Sequence, residues 1–288
     1  MSRPEQLEWE ARLSRPAAAA AFAGGLMVLA GTALAQSILE QRPRVEPLPE
    51  YLLAVNDSRG TLIAGRALQG AAALCLILVF YYLFRAIVTR DPRMPRWFVY
   101  LVFAGPLMYG VAQVLGALQQ VDVADLFAAG EPIMGQPGDN RAEDLLRENS
   151  NGLAVGLSLA GSVAVAFLFV MLPLRARRVG LLSPFMGILG VITGVLLVLQ
   201  LLPLVPLVIQ AFWLGAVGAL FLGKWPGGRG PAWESGTAEP WPRPAGRGGL
   251  LAPRGGRSEE PGAVAESEPE AAAEPEPERP HSRKRKRK

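Results

Sequence analysis

Apolar residues are gathered into long blocks along this chain, and charged residues lie mainly between the blocks. The longest block runs from Val179 to Gly223 and contains no Asp, Glu, Lys, Arg or His. A single helix of that length would extend over roughly 67 Å, about twice the ~30 Å hydrocarbon core of a bilayer. Because Pro203 and Pro206 lie near its middle, the block predicts two membrane-crossing helices joined by a short turn.

Four further apolar blocks precede this hairpin, and each is long enough to cross a bilayer once. The predicted spans are 16–36, 67–88, 97–118, 153–174, 181–201 and 204–222. The expected fold is therefore an all-α integral membrane protein, with a six-helix transmembrane bundle in residues 16–223. A short N-terminal segment, 1–15, precedes the bundle, and a tail, 224–288, follows it.

The first block leaves one alternative open. Arg3, Arg12 and Arg15 form a basic segment before it, and Ala33-Leu34-Ala35 matches the small-residue pattern of a signal-peptidase site. The apolar run is, however, as long as a membrane span and longer than the usual hydrophobic region of a signal peptide. We expect an uncleaved span, and either outcome places Gln36 outside the cytoplasm.

Charged residues between the blocks set the expected orientation. The loop 85–96 carries four Arg and one Asp, and the loop 175–178 carries three Arg, whereas the segment 119–151 carries seven acidic residues and two Arg. Because cytoplasmic loops of membrane proteins are enriched in Lys and Arg, this pattern predicts a multi-pass protein of the cell membrane with both termini in the cytoplasm.

The two long external segments carry one short motif, Asn56-Asp57-Ser58, which fits a glycosylation sequon and is expected to be a chance match. Residues 37–60 contain several prolines and are expected to form a loop with little regular structure. The acidic segment 119–151 is expected to contain a short helix that ends near Glu148, and its acidic residues lack the spacing of a calcium-binding EF-hand loop. A solvated loop is the expectation, and a cation or ligand site at the mouth of the bundle is the alternative.

The tail is rich in Pro, Gly and Glu, and it holds too little apolar surface to offset the entropy cost of ordering. We therefore predict a disordered cytoplasmic tail, in which Trp233 and Trp241 are unusual because such tails seldom contain indoles. The chain ends in six basic residues: Arg283, Lys284, Arg285, Lys286, Arg287 and Lys288. This cluster predicts binding to a polyanion, either anionic lipid or ribosomal RNA, and a solubilising or topology-fixing tail without a partner is the alternative.

Polar and small residues inside the blocks supply two further candidate sets. Four glutamines fall in the outer part of their spans, with one arginine at the rim: Arg66, Gln69, Gln113, Gln200 and Gln210. They could line an outward-facing vestibule, although hydrogen bonding between helices is the simpler expectation. A second set has the spacing that allows close helix packing: Gly187, Gly190, Gly194, Ala211 and Gly215.

Several chemistries lack their residues in this sequence. The only histidine, His281, lies in the tail, the only cysteine, Cys75, lies in an apolar block, and no phosphate-binding or dinucleotide-binding motif is present. We therefore expect a non-enzyme without a cofactor. The leading hypothesis is a scaffold or accessory protein whose tail recruits a polyanion or another partner. The alternative is a small-solute transporter or channel without an ion-coupling site, since no span has a central ionisable residue.

The end of the last span carries a resemblance to known sequences. The runs Leu222-Gly-Lys-Trp-Pro, Pro231-Ala-Trp-Glu-Ser-Gly and Ala238-Glu-Pro-Trp-Pro follow the span that begins Ser183-Pro-Phe-Met-Gly-Ile-Leu-Gly. Together they resemble uncharacterised multi-spanning membrane proteins of high-GC Gram-positive bacteria. The resemblance covers the last three spans and the start of the tail, and it implies no activity. The basic C-terminus is similar to the tails of bacterial membrane insertases, but those carry an arginine in a polar groove, and no span here has a central charge.

Overall fold

The computed structural model describes residues 2–40, 48–130, 138–199 and 205–241. All of them belong to one compact unit, Met1–Pro242. The regular secondary structure in these ranges is entirely helical, so the predicted all-α class is confirmed for this part of the chain. In chain order the helices are α1 (Arg3–Glu40), α2 (Leu48–Asp57), α3 (Arg59–Val88), α4 (Phe98–Ala129), α5 (Gly138–Glu148), α6 (Gly152–Arg178), α7 (Pro184–Leu199), α8 (Val205–Phe221) and α9 (Pro231–Ser235).

Four of the described helices, α1, α3, α4 and α6, are long and apolar enough to cross a membrane. Their length and composition support the predicted membrane-protein class. Helices α7 and α8 are apolar as well, but with 16 and 17 residues they extend over only about 24 and 26 Å. The number of crossings and the sides on which the termini lie therefore stay predictions.

Three of the membrane-length helices, α1, α3 and α4, extend well beyond the apolar blocks that predicted them. Helix α3 begins at Arg59 rather than near residue 67. Helix α1 begins at Arg3 rather than near residue 16, and α4 continues to Ala129 rather than ending near residue 118. An apolar block marks only the length that fits the hydrocarbon core, whereas the backbone hydrogen bonds of a helix continue through polar residues. The N-terminal segment 1–15 is consequently, from Arg3 onward, the first part of α1.

Six apolar helices form a closed ring: the four of membrane length together with α7 and α8. Each packs against the next in the order α1, α3, α4, α6, α7, α8, and α8 packs against α1. Three aromatic side chains meet inside the ring. The ring centroid of Phe169 lies 5.0 Å from that of Phe80 and 5.1 Å from that of Trp213. The Trp213 Nε1 atom donates a hydrogen bond to the Met186 carbonyl at 3.1 Å, which satisfies the only polar atom of this buried side chain.

Small residues let α7 lie directly on α6. Three glycines of α7 face α6: Gly187, Gly190 and Gly194. A methyl group added at Gly190 would lie 2.5 Å from Pro173 Cγ, and one added at Gly194 would lie 2.5 Å from the Ala166 carbonyl oxygen. Neither position has room for a larger residue unless the two helices move apart.

The small residues of α8 divide into two groups. Ala211 faces α1, because its carbonyl oxygen lies 3.2 Å from a methyl group added at Gly25. A methyl group added at Gly215 would have no atom of the described residues within 4 Å. The packing role predicted for Gly215 is therefore wrong. Gly218 is the second small residue at this contact, where an added methyl group would lie 3.1 Å from the Phe22 ring. The face of α8 toward α1 passes through 211, 214 and 218, and residue 215 lies at the opposite edge of this face from 214.

The two ends of the bundle differ in charge, and we call them the basic end and the acidic end. The basic end contains Arg90, the loop 175–178 and residues 224–241, and the acidic end contains α2 and α5. At the acidic end α2 packs on the extension of α4 around Leu52 and Val123. The prediction of little regular structure in 37–60 was wrong here, because apolar residues of α2 lie on one side and can be buried against α4.

Candidate functional site

Residues 224–241 fold back against the basic end, and we call this segment the basic-end cap. Helix α8 ends at Phe221, and Gly223 follows with a left-handed φ of 73°. The Lys224 N–H donates a hydrogen bond to the Ala219 carbonyl. Helix α9 follows and buries Trp233, which is 4% exposed. The predicted disorder therefore does not apply to residues 224–241. Residues 242–288 lie outside the described residues, and so does the candidate polyanion cluster Arg283–Lys288.

Trp233 is the residue around which the cap is built. Its ring stacks on Tyr82 of α3, with centroids 5.4 Å apart and planes 12° apart, and meets Phe221 of α8 edge-on. Its Nε1 atom donates a hydrogen bond to the Leu181 carbonyl at 2.9 Å. One side chain therefore joins the cap to α3, to α8 and to the connection between α6 and α7.

A buried ion pair lies directly beside Trp233. The Arg90 Nη1 and Nη2 atoms lie 2.5 and 2.9 Å from the two carboxylate oxygens of Glu10. The Arg90 side chain is 0% exposed and that of Glu10 is 3% exposed. The Arg90 guanidinium also donates to the carbonyls of Ala86 and Ala232 and lies 5.6 Å from the Trp233 ring centroid. All five guanidinium N–H groups thus have acceptors, which is the condition for a charge to be buried at low cost.

A second arginine also lies against Trp233. Arg229 of the cap lies 5.2 Å from the Trp233 ring centroid, and its Nη2 atom donates to the Tyr82 hydroxyl at 3.2 Å. That hydroxyl in turn donates to the Glu10 carbonyl at 2.9 Å. Tyr82 therefore connects the backbone of α1 to the cap.

Two further contacts tie the N-terminal part of α1 and the basic loops together. Gln6 of α1 donates to Thr89 Oγ1 at 2.6 Å, and Arg3 donates to the Ser235 carbonyl in α9. Arg175 and Asp91 form an ion pair at 3.0 Å between the ends of α6 and α3. The basic end is consequently held by polar contacts between four segments that are far apart in the sequence.

Near the acidic end, a second polar cluster joins α1, α3 and α4. The Arg66 Nη1 atom donates to the Gln69 amide oxygen at 3.2 Å and to the Gln113 amide oxygen at 3.0 Å. The Gln69 amide nitrogen donates to Thr32 Oγ1 at 3.2 Å. Within the described ranges no carboxylate forms an ion pair with Arg66, whereas Arg59 at the same end pairs with Asp125.

The structure brings most of the predicted vestibule residues together, but without a wide opening between them. Gln210 is 4% exposed and lines a cavity of about 10 Å³ with Gln69 and Tyr109, among α1, α3, α4 and α8. A cavity of this size holds about one water molecule. Gln200 lies outside the described residues. Hydrogen bonding between helices, the simpler expectation, therefore describes Arg66, Gln69 and Gln113.

Sequence reasoning missed the residues of the basic end. Arg90 entered the sequence analysis only as one of the arginines of the loop 85–96, and Glu10 did not enter it at all. The one available signal was the pair of indoles in the tail, of which Trp233 is buried. Within the described residues, no group of three or more His, Cys, Asp or Glu side chains could hold a metal ion.

Comparison with models of protein families, with curated proteins and with solved structures finds no match to this chain. The resemblance to multi-spanning membrane proteins of high-GC bacteria therefore stays a prediction.

Proposed function

We propose that this protein is a non-catalytic membrane anchor with six crossings, whose basic end faces the cytoplasm and presents the C-terminal segment to a polyanion. The observation that supports the proposal is the basic-end cap. Because Arg90 and Trp233 fix residues 224–241 to the bundle, the chain that continues beyond Trp241 starts from a defined point at this end.

The orientation is supported by the charges that the described residues expose. At the basic end the exposed charged side chains include Arg12, Arg93, Arg96, Arg177 and Arg178. At the acidic end they include Asp57, Asp122, Glu143, Asp144 and Glu148. This asymmetry follows the positive-inside rule when the basic end is cytoplasmic.

Six crossings are supported by the positions of α7 and α8. Helix α7 starts near Arg177, and α8 ends against Tyr82, so both have one end at the basic end. Their lengths of about 24 and 26 Å approach the ~30 Å hydrocarbon core. The hairpin carries no charged residue that would oppose insertion.

The six basic residues at the C-terminus carry the proposed polyanion binding. Near an anionic leaflet each is worth about 1 kcal/mol, about 6 kcal/mol in all, but Glu274, Glu276 and Glu278 lie close enough to compete. RNA offers a denser array of phosphates, and its binding falls steeply with salt through counterion release.

Truncation after Glu278 should abolish this binding. We expect full-length protein in neutral-lipid nanodiscs to bind ribosomes or phosphatidylglycerol liposomes. With six phosphate contacts, affinity for RNA should fall about a thousandfold between 50 and 200 mM salt. Co-sedimentation with ribosomes and flotation with liposomes, each across a salt series, identify the partner.

Replacement of Glu274, Glu276 and Glu278 by Gln is the matched control, because it removes the competing charges and should strengthen binding. If the truncated and full-length proteins bound ribosomes and liposomes equally, the C-terminal cluster would not be a polyanion-binding site, and the proposed function would be contradicted.

The alternative function, a small-solute transporter, has less support. The cavity lined by Gln69 and Gln210 holds about one water molecule, which is too little room for a solute path through this part of the bundle.

A further inference from the structure

The Arg66 guanidinium is held in a way that leaves one of its edges available. Its Nη1 atom donates to the two amide oxygens of Gln69 and Gln113. No atom of the described residues accepts a hydrogen bond from its Nε or Nη2 atoms. These two nitrogens form the planar edge with which arginine binds a carboxylate or phosphate through two parallel hydrogen bonds.

The charge of Arg66 is likewise not neutralised within the described part of the chain. The acceptors on Nη1 are neutral amides, and the ion pair at this end joins Asp125 to Arg59 instead. The charge also acts beyond its own helix: burial raises the pKa of Tyr51 on α2, and the Arg66 charge opposes part of that rise. A half-buried cation beside apolar helix faces attracts an anion more strongly than the same cation in water.

Neighbouring side chains hold the Arg66 guanidinium in place and add a second donor beside it. Gln69 is 8% exposed and is fixed by its bond to Thr32, so it holds the guanidinium in one orientation. The amide nitrogen of Gln113 has no acceptor among the described residues and can donate to a ligand beside Arg66. The cavity that Gln69 lines has a volume of about 10 Å³, which leaves no room there for a ligand larger than one water molecule.

From this geometry we propose that Arg66 and Gln113 form a binding site for one oxyanion group, a carboxylate or a phosphate, near the acidic end of the bundle. Arg66 Nε and Nη2 each donate to one oxygen of the anion, and the Gln113 amide nitrogen donates to the same group. Gln69 positions Arg66 and does not contact the ligand. The anion is either the headgroup of an anionic lipid or a small soluble anion, since both present the same oxygens.

Binding is measured on the full-length protein in nanodiscs of two compositions. One arm compares phosphatidylcholine alone with a mixture that contains phosphatidylglycerol, and reads the thermal unfolding midpoint. The other arm titrates inorganic phosphate or citrate into phosphatidylcholine nanodiscs. Because the basic C-terminus is proposed to bind the same lipid, only the part of the rise that Arg66→Gln removes counts. Such a rise in the first arm alone identifies a lipid headgroup, and one in the second identifies a soluble anion.

Variants assign the effect to Arg66. Arg66→Gln should weaken binding by about tenfold or more, because it removes both the charge and the paired donors. Arg66→Lys should lose less, because it keeps the charge without the planar edge. The matched control is Arg59→Gln, an exposed arginine at the same end, which should bind as the wild type does.

A measurement on the wild type alone covers the case in which Arg66 variants fail to fold. Phenylglyoxal modifies accessible arginines, and mass spectrometry gives its rate at each one. The bound anion should slow modification of Arg66 at least about tenfold and leave Arg59 unchanged. The proposal would be overturned if phosphatidylglycerol, inorganic phosphate and citrate all left the modification rate of Arg66 unchanged. It would also be overturned if the thermal unfolding midpoint stayed the same in both arms.

Discussion

Replacement of Glu10 by Ala should release the basic-end cap from the bundle. The Arg90 side chain is fully buried, and removal of its carboxylate partner would leave a charge in the interior with two carbonyls in place of a counter-ion. Loss of one member of a buried ion pair costs about 3–5 kcal/mol. The cap should open locally before the helices separate, because it holds the shortest helix, α9, and few buried residues.

Hydrogen–deuterium exchange of residues 229–237 and their cleavage by protease would report this opening in the purified protein. The matched control is Glu8→Ala on the same helix. Glu8 pairs with Arg12, but both side chains are largely exposed, 68% and 80%, so its loss should change stability by less than about 1 kcal/mol. Equal exchange in the two variants would show that the buried pair does not hold the cap.

Replacement of Trp233 by Ala should have an effect of similar size. It removes the stacking on Tyr82, the edge contact with Phe221 and the hydrogen bond to Leu181, and it leaves a cavity beside two arginines. Truncation of a buried Trp costs about 3–5 kcal/mol. The thermal midpoint should fall, and exchange should rise both in α9 and around Leu181.

Two further variants separate the contributions at this position. Trp233→Phe keeps an aromatic ring on Tyr82 and loses the Nε1 donor, so it should cost less than the alanine variant. Trp97→Ala removes an indole that is 58% exposed, and it should leave exchange in the cap unchanged. If Trp233→Ala and Trp97→Ala gave the same exchange in α9, the central position of Trp233 in the cap would be refuted.

The helices of the bundle could be predicted because each depends on one local property. An apolar run of about 20 residues can be stable in a bilayer only with its backbone bonds made internally, so composition over a short window is enough. The ends of the helices could not be predicted in the same way. The extension of α1 toward Arg3 is polar, and its contacts with Thr89 and Ser235 are made with distant parts of the chain.

The basic-end cap was missed because its stability comes from non-local contacts. Averaged over 224–288, the composition is that of a disordered segment, and this average conceals Trp233 and its neighbours. The contribution of Trp233 to the stability of the cap depends on Tyr82. The contribution of Arg90 depends on Glu10, which is 80 residues away in the sequence. No local pattern records such pairs.

The Arg66 cluster could be predicted in part. Glutamines and an arginine at the edge of apolar blocks stand out in the sequence, and this selected Arg66, Gln69 and Gln113. Their hydrogen bonds depend on the rotation of α3 and α4 about their axes, which the sequence pattern does not define. The same uncertainty in rotation explains why Gly215 was expected at a contact that Gly218 makes.

The sidedness of engineered cysteines tests the central claim most directly. In a Cys75→Ala background, single cysteines replace Pro92 and Thr237 at the basic end, Asn149 at the acidic end, and Pro203 between α7 and α8. A membrane-impermeant maleimide should label Asn149→Cys and Pro203→Cys in intact cells, and Pro92→Cys and Thr237→Cys only after the membrane is opened. Labelling of Thr237→Cys or Pro92→Cys in intact cells would contradict a cytoplasmic basic end, and an unlabelled Pro203→Cys beside a labelled Asn149→Cys would contradict six crossings.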